Sequence, residues 1–175
     1  IDKTLDLVSK GMRDLPERQK TLRAAIEWSY NLLSDELKQA FRQLGIFKRS
    51  WTLEAADTIL KNENNTIDIE ELTERLLDVS LIKPTLVNHT SEPRFNMLQT
   101  VHEYAHEELE KSADAENTKK RYAQYFYDLC VEAYPHLWIG TAEAWLDKIE
   151  FEYQNIRAAF YIFIELQDYE KAWYF

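Results

Sequence analysis

The residues best equipped for chemistry lie in one short stretch, His102-Glu103-Tyr104-Ala105-His106. Two histidines four positions apart on a helix share a face. They can hold Zn²⁺ between them, with the intervening glutamate acting as a base on metal-bound water. A zinc hydrolase also needs a third protein ligand, and neither His89 nor His136 stands at a recognisable spacing from the pair. Metal chemistry at His102 and His106 is therefore the remote alternative, and both are expected at ordinary surface positions. Nothing else in the chain suggests an enzyme. No Ser-His-Asp order, Cys-His pairing or G-x-x-x-x-G-K-[ST] loop occurs, so the chain alone lacks a cradle for nucleotide phosphates and Mg²⁺. The single Cys130 excludes an internal disulfide and fits a reducing compartment. Its apolar helical neighbours make it a small buried hydrophobe. Asn64-Asn65-Thr66 and Asn88-His89-Thr90 match glycosylation acceptors, but no secretory signal accompanies them, and a cytoplasmic location is expected.

The surrounding elements read as mostly helical. Of 175 residues, 45% are hydrophobic and 13% aromatic, enough to build a core, while only 3 Gly and 4 Pro interrupt the chain. No run approaches the ~20 apolar residues of a membrane span. Ile1, Leu5 and Val8 read as the tail of a helix ended by Gly11. Asp14-Leu15-Pro16-Glu17 starts the next, with Leu22, Ala25, Ile26, Ser29 and Leu33 on one stripe and Trp28 and Tyr30 in the core. Ser34-Asp35-Glu36 opens a helix with Leu37, Ala40, Phe41 and Leu44 inward, and Thr52 caps one with Leu53, Ala56, Ile59 and Leu60. After a polar loop at 61–66, Asp68-Ile69-Glu70-Glu71 caps a helix bearing Leu72, Leu76, Leu77 and Val79. The period then changes. Leu81–Val87 and Arg94–Leu98 flank a polar tip and read as a β-hairpin, with Pro84 marking its first strand as an edge. Thr100 is expected to cap the helix that carries the two histidines.

Helices followed by a hairpin make a winged helix, a helix-turn-helix variant. Beyond a 111–116 linker, two long amphipathic helices (117–134 and 141–166) and a shorter one resemble the opening of a helical-repeat solenoid. Their aromatics, among them Tyr122, Tyr125, Phe126, Trp138, Trp145, Tyr153 and Phe160, are expected at helix–helix contacts. The expected layout is residues 1–14 as the tail of a preceding helical domain, 15–112 as the winged helix, and 113–175 as the start of the helical-repeat sensor. A start at Ile1 and an end on Ala172-Trp173-Tyr174-Phe175 read as a piece of a longer chain.

Charge weighs against nucleic acid. The net charge is −10, but residues 11–50 hold eight basic and five acidic residues, leaving −13 for the remainder. The helix before the hairpin, which would read DNA, carries Asp68, Glu70, Glu71, Glu74 and Asp78 against Arg75 alone, a net −4. A DNA-binding winged-helix regulator is thus the alternative and not the leading reading. Arg18, Lys20, Arg23 and Arg42 form a basic stripe that could dock an acidic domain surface or approach a nucleotide.

Leu15-Pro16-Glu17-Arg18-Gln19-Lys20-Thr21-Leu22-Arg23 through Leu33 closely resembles a stretch of bacterial STAND ATPases, the NB-ARC-type signal-transduction ATPases found in transcriptional regulators. So do Phe41–Phe47, Trp51–Ala56, Leu77–Ile82, Phe95–Ala105, Trp145–Glu150 and Asn155–Ala159, in order along nearly the whole chain. The resemblance implies a winged helix set between a nucleotide-binding domain and a tetratricopeptide-like sensor. There it would relay nucleotide state without catalysing or reading DNA, with ATP or ADP and Mg²⁺ bound elsewhere in the parent protein. In that family a Met-His-Asp motif brings its His to the β-phosphate. The matching positions here are Met97, Leu98 and Gln99, and Leu98 removes that hydrogen bond.

Overall fold

A computed structural model describes residues 17–60, 68–85, 92–138 and 142–175, with only the backbone for 17–20. The expected helix tail at 1–10, the cap at 14–16, the loop at 61–66, the hairpin tip and the side chains of Arg18 and Lys20 lie outside the described residues. The architecture is mainly helical with one small sheet. In order come α1 (Glu17–Asn31), α2 (Asp35–Leu44), β1 (Trp51–Thr52), α3 (Leu53–Leu60), α4 (Ile69–Asp78), β2 (Lys83–Thr85), β3 (Arg94–Asn96), α5 (Gln99–Glu110), α6 (Ala115–His136), α7 (Ala142–Glu165) and α8 (Tyr169–Tyr174).

Local signals account for most boundaries. The Ser34 hydroxyl accepts from the Leu37 amide, Asp68 accepts from Glu70, and Thr52 accepts from Ala55 at 3.1 Å, each satisfying an amide that the first helical turn leaves unpaired. At the head of α5 the expectation fails. The helix begins two residues earlier, with Leu98 as its N-cap and no capping side chain, so Thr100 is already helical. Val79 also falls outside the buried stripe. It is the C-cap of α4 and 42% exposed, and Ser80 follows with φ of 59°.

The hairpin gains a third strand that sequence reading assigned only to a helix cap. β1 pairs with β3 (Trp51 opposite Phe95), and β3 pairs with β2, giving the antiparallel order β1-β3-β2 with Pro84 on an edge as expected. A two-residue strand has too short an alternation to read by period. Its burial is decided by the partner, and Trp51 is 1% exposed against Phe47, with ring centroids 5.4 Å apart.

One continuous core runs from Ile26, Tyr30 and Phe41 through Ile59, Leu76 and Phe95 to Tyr122, Phe126 and Phe163. The helix–hairpin part and the long helices therefore share apolar interior. Gly45 sets how closely α2 and α5 meet. A Cβ there would stand 2.7 Å from backbone atoms of Ala105 and His106, closer than any real contact. On α1 the buried face is Ile26 and Tyr30, continued by Leu33 beyond the helix end. Trp28 lies two positions from both, roughly 200° around the helix, so it is exposed and not in the core. Leu22 and Ala25 are likewise exposed. Tyr122 and Phe126 pack as expected, whereas Trp138 and Tyr153 are solvent-facing. No described helix is long and apolar enough to cross a membrane.

Candidate functional site

The hairpin and the long helices meet at a buried polar joint. Arg94 on β3 and Glu152 on α7 form an ion pair, and each residue is 5% exposed. Arg94 also donates from Nε to the Ser50 hydroxyl at 3.1 Å and from Nη2 to the Ser50 carbonyl. Asn155, one helical turn beyond Glu152, donates to Glu152 Oε2 at 2.7 Å and to the Ser50 carbonyl. Its Oδ1 accepts from the Lys48 amide at 2.8 Å and from the Tyr122 hydroxyl at 2.9 Å. Burial pushes the Tyr122 phenol well above its ordinary pKa, keeping it a donor. Four segments thus converge: the 48–50 strand approach, β3, α6 and α7. Each polar group of the joint has a partner, which is what keeps a buried charge pair from destabilising its surroundings.

Sequence reading missed this joint. It placed the α7 stripe on Trp145, Leu146, Ile149, Tyr153, Ile156, Ala159 and Phe160; of these Ala159 is buried, and the other buried positions are Glu152, Asn155 and Phe163. A signal existed. Glu152 and Asn155 fall in helical phase with Ala159 and Phe163, and polar residues on an apolar stripe ask for partners.

The two histidines are half-buried and not on the open surface. The rings of His102 and His106 lie parallel, 6° apart with centroids at 6.2 Å. His102 Nε2 is 2.6 Å from the Phe47 carbonyl oxygen, which can only accept, so Nε2 carries the proton. Burial holds the pKa of His102 below the usual value, partly offset by that hydrogen bond. Burial, with Lys48 nearby, also lowers His106, whose Nδ1 is buried without a partner. No group of three or more His, Cys, Asp or Glu is arranged to hold a metal among the described residues.

Arg23 and Arg42 are committed within the chain. Arg23 forks onto the Glu107 carboxylate on α5, one bond being 3.1 Å, and sits 5.3 Å from the centre of the Tyr104 ring. That hydrogen bond keeps the Glu107 carboxyl below the usual range. Arg42 bonds Asp114 at 3.0 Å, tying α2 to the turn before α6. Of the expected sensing residues, Met97 is buried in the core, while Leu98 is 56% exposed and exposed Gln99 bonds Glu103 at 3.0 Å. The acids of α4 and its cap, Asp68, Glu70, Glu71, Glu74 and Asp78, all face solvent, and Glu71 already neutralises Arg75 at 2.6 Å. Cys130 is partly buried, and desolvation raises its thiol pKa to about 11, so it is a poor nucleophile.

The chain is similar to a Mycobacterium tuberculosis protein named "Putative HTH-type transcriptional regulator Rv0890c", 28% identical over 161 residues. A Mycobacterium bovis protein of corresponding name, Mb0914c, matches to the same degree. These matches cover 91% of this chain but only 18% of either relative, so the chain spans under a fifth of their length. A third protein, from M. tuberculosis and named only as uncharacterized, is 25% identical over 121 residues, 68% of this chain and 30% of its own. No family model matches the sequence, and no solved structure matches. These likenesses support a regulator-like chain; the mainly helical architecture with a small three-stranded sheet is what the structure shows.

Proposed function

We propose that this chain is a segment of a transcriptional regulator and that its own part there is to couple domains, without catalysing a reaction. The observation that carries the first half is the similarity over 91% of the chain to proteins named as HTH-type regulators. For the second half, helices α1–α4 with the small sheet are read as a winged helix and the α6–α7 pair as the opening of a tetratricopeptide-like sensor. The Arg94–Glu152–Asn155 joint between these two parts supports the coupling. The resemblance to STAND ATPases supplies the other partner, a preceding nucleotide-binding domain that would hold ATP or ADP with Mg²⁺. A nucleotide-driven shift at the winged helix would reach the sensor through that joint, because a buried charge pair tolerates few intermediate arrangements.

The relatives' name by itself favours a second reading over this one, in which this segment itself contacts DNA. The exposed acids of α4 weigh against it, since a reading helix needs donors toward phosphates and base edges. The relatives extend far beyond the matched region, so the helix-turn-helix they are named for need not lie in it. Fluorescence anisotropy of labelled duplex DNA with this chain separates the two. Domain coupling expects nothing tighter than non-specific binding, a Kd of roughly 10⁻⁴–10⁻⁶ M at physiological salt. Submicromolar, steeply salt-dependent binding would establish the DNA reading instead.

A further inference from the structure

A cavity of about 690 Å³ opens where α5, α6 and α7 meet the end of α2. Its volume falls in the range of small-molecule sites, roughly 300–1,000 Å³. Three cations line it: Lys48, Lys119 and Arg157. Lys119 is paired with Glu110 at 2.8 Å. Among the described residues the Lys48 ammonium and the Arg157 guanidinium form no hydrogen bond or close ion pair, and Glu110 and Glu165 act on Lys48 only through space. His106, whose buried Nδ1 is also unpartnered, lines the same space. Glu110 and Glu165 are its acids, so positive charge prevails locally in a chain of net −10. Crowding by protein lowers the Lys48 pKa, a cost that a bound anion would relieve. Ile46, Ala158, Tyr161 and Ile162 supply the apolar part of the lining, beside the polar Gln154.

We propose that this cavity binds a small organic anion, with Arg157 and Lys48 holding its acidic head and Ile46, Ala158 and Ile162 receiving a flat apolar body. A guanidinium and an ammonium free of close ion pairs form charge-assisted hydrogen bonds to carboxylate or phosphate oxygens, and the apolar lining adds affinity for a molecule with an apolar body over an inorganic ion. The ligand would touch α5 and α7 together, and α7 also carries Glu152 and Asn155 of the buried joint. The site stands on its own geometry and does not depend on the domain-coupling reading.

The test is an amide-resolved NMR titration of this chain with 1-naphthoate, 1-naphthyl phosphate and the neutral 1-naphthol. At least one of the two anions should shift the amides around Ile46–Lys48, His106 and Arg157–Ile162, and the tighter of the two identifies the head group. 1-Naphthol should bind at least about tenfold more weakly, and Arg157→Gln should weaken the anion by about tenfold. Lys48→Gln is the second variant, useful if the first perturbs the fold, and it should weaken binding in the same direction. Absence of shifts there with both anions overturns the proposal. Binding of 1-naphthol equal to that of the anions, or full affinity in both variants, also overturns it.

Discussion

Two kinds of ion pair hold this molecule together, and burial separates them. Arg94–Glu152 joins the sheet to α7 with both residues 5% exposed and a ring of further hydrogen bonds. Arg23–Glu107 and Arg42–Asp114 join the early helices to α5 and to the turn before α6 with side chains between 24% and 47% exposed. The chemistry is the same, but the surroundings differ. Water screens the outer pairs, whereas at the joint each charge relies on its partner. The outer pairs fasten; the inner one specifies which arrangement of sheet and helix is allowed.

The largest expected effect breaks the inner pair. Glu152→Ala leaves Arg94 charged and buried and should cost about 3–5 kcal/mol in denaturant unfolding. The double variant Arg94→Met with Glu152→Leu should recover much of that loss. If the single change costs under about 1 kcal/mol, the joint is no more specific than a surface pair. Gly45→Ala comes next, at about 1–3 kcal/mol, because the added methyl meets backbone on α5 and not a movable side chain. A pH effect follows from His102. Its folded pKa is depressed by burial, so between about pH 6.5 and the lower folded value the unfolded chain binds a proton that the folded chain resists. Stability should therefore be complete above about pH 6.5 and fall as pH drops through that window, with the slope reduced in His102→Gln. The residual slope would report His106, which is depressed in the same direction. The smallest effect is Glu107→Gln, expected at under about 1 kcal/mol and shrinking with added salt; a salt-independent loss would mean that the outer pair behaves as a buried one.

Helix positions were legible because their signals are local. Ser34, Thr52 and Asp68 cap the helices that follow them, and the stripe Leu37-Ala40-Phe41-Leu44 is buried as its spacing predicts. Pro84 marked an edge strand because a proline cannot donate to a ladder. Trp28 misled because aromatic character argues for burial while its position on the helix decides exposure. The histidine pair misled in the other direction. Its spacing suits a metal, but the polar partner of His102 is a carbonyl 55 residues away that no local pattern announces.

The sequence by itself determined the helices, the edge of the hairpin and the acidic face of α4, since caps, periods and charges act over a few residues. The tertiary structure alone decided that Trp51–Thr52 completes the sheet and that Arg94 meets Glu152. It alone decided that Lys48 and Arg157 face one cavity. Each of these joins residues from about 40 to more than 100 positions apart, and such pairings follow from how whole elements dock rather than from any local spacing.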